Sequence, residues 1–305
     1  MYSFSIDSMF QISLSDIIRT DAAGYQHLVE IYETIMAQSD MEVTLGFDDC
    51  VHMDANLSAV LGSLLDDLKM HGYDLWLTTP KAAGVRDNLS RNKFFRAFNP
   101  DCADEDPENF IEYRRFRRDE GNEFKTYIET QLMQKQRFPA HTEKAGALIH
   151  ENIMEIFVNA VLHGECAYVY SCGEYDRTKK PPSLDMTIVD LGYSIPAKVN
   201  GFIARLGKNI LPPCDAIRWA LRDGNTTKNI PGGLGFTVLL NFLRMNRGAM
   251  QIVSGSGMVE FRNGELIDYS LAKPLRGTIV NMEFNFNDNK NYRLVSEQVD
   301  RENLL

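Results

Sequence analysis

The stretch HENIMEIFVNAVLHG (150–164) constrains this chain more than any other, because one helix there carries two different stripes. Ile149, Ile153, Ile156, Phe157, Ala160 and Val161 recur at helical spacing and predict a buried apolar face. Asn152, Glu155, Asn159 and His163 recur three to four residues apart and predict a polar face. A solvated face usually carries Lys and Glu, whereas Asn is a middling helix former rarely chosen for exposure alone. A carboxylate and a carboxamide one turn apart suit a metal–phosphate site. The amide oxygen can ligate a hard cation, and the carboxylate can orient water.

The surrounding pattern is that of a second α/β unit. A helix is expected from Glu123 through Leu132, broken at Pro139, and a long one over about 143–163. CAYVYSC and SLDMTIVD alternate and are joined by a Gly/Pro/Lys-rich loop, which predicts a hairpin. VDLGYSIP puts Asp190 at a strand end with Gly192 behind it. A carboxylate there can accept from an exocyclic amino group, and glycine lets backbone approach a ligand. In NTTKNIPGGLGFTVLLNFLRM, Gly232, Gly233 and Gly235 precede a helix whose free N–H groups suit phosphate. No P-loop lysine follows them. The last strand is GTIVNMEF (277–284).

Taken in this order, an E-x-x-x-N helix, D-x-G on a strand, G-x-G opening a helix and a G-T strand, residues 123–286 resemble the GHKL ATPase family. That family includes type II topoisomerases, histidine kinases, mismatch-repair ATPases and anti-sigma-factor serine kinases. The resemblance implies a Bergerat-type α/β sandwich with a mixed sheet, ATP as ligand and Mg as cofactor. It implies that Glu155 activates water or a hydroxyl and that Asn159 ligates magnesium. Asp190 would select adenine, with Gly192 as the first glycine of its box. Gly233 and Gly235 would lie beside the phosphates, and Thr278 near the base. Residues 196–232 would form a lid in which Thr226, Thr227 and Lys228 reach the γ-phosphate. His163 would order the site or cap its helix. The family's second glycine in D-x-G-x-G is here Ser194, which a backbone of negative φ tolerates and one of positive φ does not.

Residues 1–98 predict a smaller α/β domain. MEVTLGF (41–47) and YDLWLTT (73–79) read as strands. Between them Asp54 is placed to cap a helix bearing Leu57, Val60, Leu61, Leu64, Leu65 and Leu68. This segment is similar to a STAS domain, the fold of anti-sigma-factor antagonists. At the position matching that family's phosphorylatable serine stands Ala55, and Ser58 lies one turn further in. The resemblance implies a domain that docks a protein partner and is not itself a phosphorylation switch there. Residues 99–122, acidic and proline-containing and then rich in arginine, read as a linker, with the arginines as a solvated face. Residues 123–288 would be the ATP-binding domain and 289–305 a tail.

Charge narrows the partners. The net charge is -10, and residues 1–60 hold ten acidic residues against the single Arg19. This argues against nucleic acid and anionic membranes and favours a neutral or basic protein surface. The start MYSFSIDSMF lacks a basic region, and five scattered cysteines match no zinc pattern, so a reducing cytoplasm is expected. The leading expectation is a regulatory ATPase whose nucleotide occupancy controls a partner, with a homodimer compatible. The alternative is a protein-serine kinase of the anti-sigma type acting on a STAS partner. Histidine autokinase activity is disfavoured, since no helical hairpin carries a separate phosphoacceptor. Ser194 is the argument for a vestigial site.

Overall fold

The computed structural model describes residues 9–99, 109–135, 138–176, 179–180, 182–222, 224–225, 235–288, 290–294 and 296–297. The chain is mixed α/β, with helices and several sheets. The first part runs β1 (Phe10–Ser13), β2 (Ile17–Ile18), α1 (Ala22–Met36), β3 (Glu42–Gly46), β4 (His52–Met53), α2 (Ser58–Met70), β5 (Asp74–Leu77), α3 (Ala83–Arg91) and α4 (Phe94–Phe98). Parallel strands β1-β3-β5 form one sheet and β2-β4 a short second one. The second part runs β6 (Phe110–Arg117), α5 (Gly121–Tyr127), α6 (Glu143–Leu162), β7 (Tyr168–Asp176), β8 (Ser183–Asp190), α7 (Ile195–Arg205), α8 (Pro213–Leu221), α9 (Gly235–Asn246), β9 (Ala249–Arg262) and β10 (Glu265–Asn285).

The five-stranded sheet, in order β6-β7-β8-β10-β9, is antiparallel at every pairing, not mixed as expected. Its edge strand β6 comes from the segment read as a linker. Phe110, Ile111, Tyr113 and Phe116 are buried there, while Arg115 pairs with Asp66 at 2.6 Å and Arg117 with Glu120 at 3.3 Å. The arginine run hid a strand because a bulge between Ile111 and Arg114 breaks its alternation. The helix expected to begin at Glu123 is α5 followed by a π-helical stretch, Ile128–Met133.

Both faces of this sheet are covered. Ile188, Met186 and Leu184 of β8 face α6 and α9 in one core. Tyr170, Cys172, Val189, Val253 and Ile279 face the opposite way, into the same core as Val60, Leu61, Leu64 and Leu65 of α2. Strand β8 is therefore buried at all eight positions. The face toward α1 and α2 is graded along the strands. Tyr170, Val189, Ile279 and Val253 form an apolar row; Cys172, Thr187, Asn281 and Gln251 a neutral polar row; Glu174, Asp185 and Glu283 an acidic row.

Asn56 docks on the neutral row. Its amide donates to Thr187 Oγ1 at 2.9 Å and to Asn281 Oδ1 at 3.1 Å, and its oxygen accepts from Thr20 Oγ1 at 3.0 Å. Tyr25 Oη donates to Gln251 Oε1 at 2.9 Å. Asp54 does not cap its helix as expected: its carboxylate accepts from the Thr20 N–H at 2.6 Å. Burial raises the Glu174 pKa, and the neighbouring Asp54 adds to the shift. Lys179 holds Asp185 at 2.9 Å, and burial still pushes that carboxyl up to about 6.

The shared core predicts one unfolding event. Trp76 reports on the first part and Trp219 on the second, so Trp76→Phe and Trp219→Phe proteins should show the same urea midpoint by fluorescence. Asn56→Ala, which removes three side-chain hydrogen bonds between the two parts while Thr187 still donates to Asn281, should lower stability by about 1–3 kcal/mol at both probes. Two separated midpoints would show the halves to be independent.

Candidate functional site

Helix α6 starts at Thr142, whose hydroxyl accepts from the Ala145 N–H at 3.3 Å. Its apolar stripe is buried as expected, apart from the partly buried Val161. Among the described residues it is the one helix long and apolar enough to cross a membrane, and its buried side chains lie in the core under the five-stranded sheet. The polar stripe is not a solvated face. Asn152 is buried, and Glu155, Asn159 and His163 are half-buried. Asn152 Nδ2 donates back to Leu148 O at 2.8 Å, while its Oδ1 has no partner among the described residues. Neither the Glu155 carboxylate nor the Asn159 carboxamide bonds to another described residue. Their polar atoms are reached by solvent and use none of their hydrogen-bonding capacity within the described structure, so both are open to a ligand.

The end of α6 abuts Asp190. The Asn159 carbonyl accepts from the His163 and Gly164 N–H groups at 2.8 and 3.0 Å, closing the helix. A Cβ on Gly164 would lie 2.8 Å from Asp190 Oδ1, so only glycine lets the carboxylate sit there. Gly192 packs even closer, since a Cβ on it would meet Gly164 O at 2.0 Å. The Tyr193 N–H donates to Gly164 O at 2.7 Å, and the Gly192 N–H donates to Asp190 Oδ1 at 2.9 Å. That is the only hydrogen bond of the Asp190 side chain among the described residues. Burial pushes the Asp190 pKa up to about 7, and the Gly192 N–H opposes this only in part. Nearby, burial lifts the Cys166 thiol to about 12, with Asp190 adding to it, so this cysteine is a neutral wall residue.

Thr278 pairs with Asp190 across β10 and β8. Its hydroxyl lies 3.0 Å from Ser254 Oγ, which donates to Gly277 O at 2.7 Å and accepts from the Ile195 N–H at 2.8 Å. Ser194 sits at φ -69, so serine carries no backbone strain in place of glycine, and its hydroxyl caps α7 by accepting from the Ala197 N–H. Gly235 is the first residue of α9, which packs on α6. Gly233, Thr226, Thr227 and Lys228 lie outside the described residues.

The fold thus brings Asn159, Asp190, Gly192 and Thr278 around the end of α6, with Glu155 one turn back. Sequence reading missed Gly164, Ser254 and the role of Gly277. The His-Gly pair after the helix was a signal for the first; Ser254 had none, since only strand pairing places it. Among the described residues no group of three or more His, Cys, Asp and Glu is arranged to hold a metal. No protein-family model matches the chain, and no curated protein matches it either.

The buried carboxyl makes stability pH-dependent. Its pKa is higher in the folded chain than the ordinary 3.8, so its stabilising share is full below about pH 4 and is lost as pH rises through about 7. Asp190→Asn keeps the acceptor for Gly192 and removes the charge. Its urea midpoint should overtake that of the unsubstituted protein progressively between those limits, by a few kcal/mol at most, ~1.4 per pKa unit. A difference independent of pH would show that Asp190 is not the group responsible.

Proposed function

We propose that this protein is a Mg-ATP-binding regulator of the GHKL type, joined to a STAS-like half that meets a protein partner. The observation that carries this reading is the buried carboxylate of Asp190, with one hydrogen bond among the described residues, set near the end of the helix that carries Glu155 and Asn159, which have no side-chain partner among the described residues. A single backbone donor leaves Asp190 acceptor capacity for an exocyclic amino group. Asn159 would offer one amide oxygen to the cation, the phosphates supplying others. Glu155 would orient the attacking water or hydroxyl. Mg-ATP, when bound, would supply the phosphoryl electrophile. The α9 N-terminus, with Gly235 and the preceding Gly233, would meet the phosphates. Thr227 and Lys228 would close over them from the lid.

Ala55 supports reading the STAS-like half as no phosphorylation switch at that position. The residue is fully buried and so out of reach of a kinase. The acidity of the first residues favours a neutral or basic protein partner, in a cytoplasmic setting. The second reading, a protein-serine kinase acting on a separate STAS partner, uses the same site and differs in the acceptor.

An amino donor to Asp190 favours the ionised carboxylate, so binding below about pH 7 should release protons. Titration calorimetry of Mg-ATP at pH 6, in two buffers of different ionisation enthalpy, measures this. Absence of binding by folded protein would end the proposal. Glu155→Ala should bind Mg-ATP and lose turnover. Label from the γ-phosphate appearing on a STAS partner would favour the kinase, and free phosphate alone the regulator.

A further inference from the structure

Strand β10 is interrupted where it passes between the Asp190 pocket and the first part of the chain. Ser270 pairs with Gly257, Leu275 with Gly255 and Thr278 with Ser254, so β10 advances eight residues while β9 advances three. The surplus is a bulge around Pro274, which has no N–H to give the ladder. One end of the bulge presses on the site. Gly277 adopts φ +81, and a Cβ there would lie 2.0 Å from the Asp190 carbonyl oxygen. Gly277 O and Thr278 Oγ1 both meet Ser254, which also holds the first N–H of α7.

The other end belongs to the first part. Leu271 and Leu275 are buried in the core made with α1 and α2. Gln26 of α1 accepts from the Ala272 N–H at 2.5 Å and the Lys273 N–H at 3.3 Å with one oxygen. Asp67 of α2, itself buried, stands 3.6 Å from Arg276 and accepts from Tyr32 Oη at 2.6 Å. Backbone N–H groups of a bulge have no ladder partner, and at Ala272 and Lys273, which are exposed, the oxygen of Gln26 meets them in place of water.

We propose that α1 and α2 set the shape of the Asp190 pocket through this bulge, with Gln26 as the chief positioning residue and Asp67 as its support. What moves α1 then changes nucleotide affinity, and by linkage nucleotide changes how α1 is held. The inference rests on the nucleotide reading for its ligand but not for its geometry.

The test uses the full chain with Gln26→Ala, Gln26→Glu and Tyr25→Phe. Gln26→Ala removes the acceptor, and Gln26→Glu restores one. Tyr25→Phe breaks the other α1 hydrogen bond to the sheet, at Gln251, and leaves the bulge untouched. Without nucleotide, amide hydrogen exchange at Gly192, Tyr193 and Ile195 should quicken several-fold in Gln26→Ala and stay as in the unsubstituted protein in the other two. Mg-ATP should bind Gln26→Ala roughly five- to tenfold more weakly, with affinity recovered in Gln26→Glu. Unchanged exchange in Gln26→Ala, or equal loosening in Tyr25→Phe, would overturn the proposal. If unsubstituted protein binds no Mg-ATP, the functional reading falls while the exchange data still decide the coupling.

Discussion

The burial of strand β8 on both faces is the constraint from which the rest of this structure follows. An antiparallel sheet can leave one face to water, but here α6 and α9 cover one side and α2 the other. Neither half of the chain could keep its apolar surface from water alone. Polar groups in that interface are then matched in detail, as Asn56 shows by meeting Thr187 and Asn281 with its amide. The acidic row beyond it is held by Lys179 and Arg262, which tie down Asp185 and Glu283.

The same burial creates the chemistry of the site. Asp190 ends β8 where the sheet, the α6 terminus and Gly277 converge, and this enclosure leaves its carboxylate little contact with water. Close approach by Gly164, Gly192 and Gly277 makes that enclosure, each at a place where a methyl group would collide with backbone or carboxylate. With the Gly192 N–H as its one donor among the described residues, the charged form is destabilised, which raises the proton affinity of Asp190. Ser194 fits this frame because its backbone stays extended before α7.

Much of this was legible in the residues. Period-3.6 and period-2 patterns located α6, α9, β3, β5, β7 and β8, and the two stripes of α6 singled out Glu155 and Asn159. Strand β6 was not legible, because four arginines around a bulge look like a solvated run when their partners, Asp66 and Glu120, are unknown. Helix α1 was passed over, although Asp21 caps it by accepting from the Gly24 N–H. The role of Asp54 was misread because its carboxylate chose the Thr20 N–H, more than thirty residues away in sequence.

By itself, then, the amino-acid sequence determined most of the helical and extended segments of the second part, which of their faces are apolar, and that Asn152, Glu155, Asn159 and His163 share one face of α6. Those properties depend on neighbours within a turn or two. Only the tertiary structure decided that the first part of the chain is packed on the sheet, that Asn56 meets Thr187 and Asn281, and that Gln26 accepts from a bulge beside Asp190. These contacts join residues from distant parts of the chain. They arise from shape and from the need to satisfy buried polar groups once the core has closed, and no local pattern encodes either.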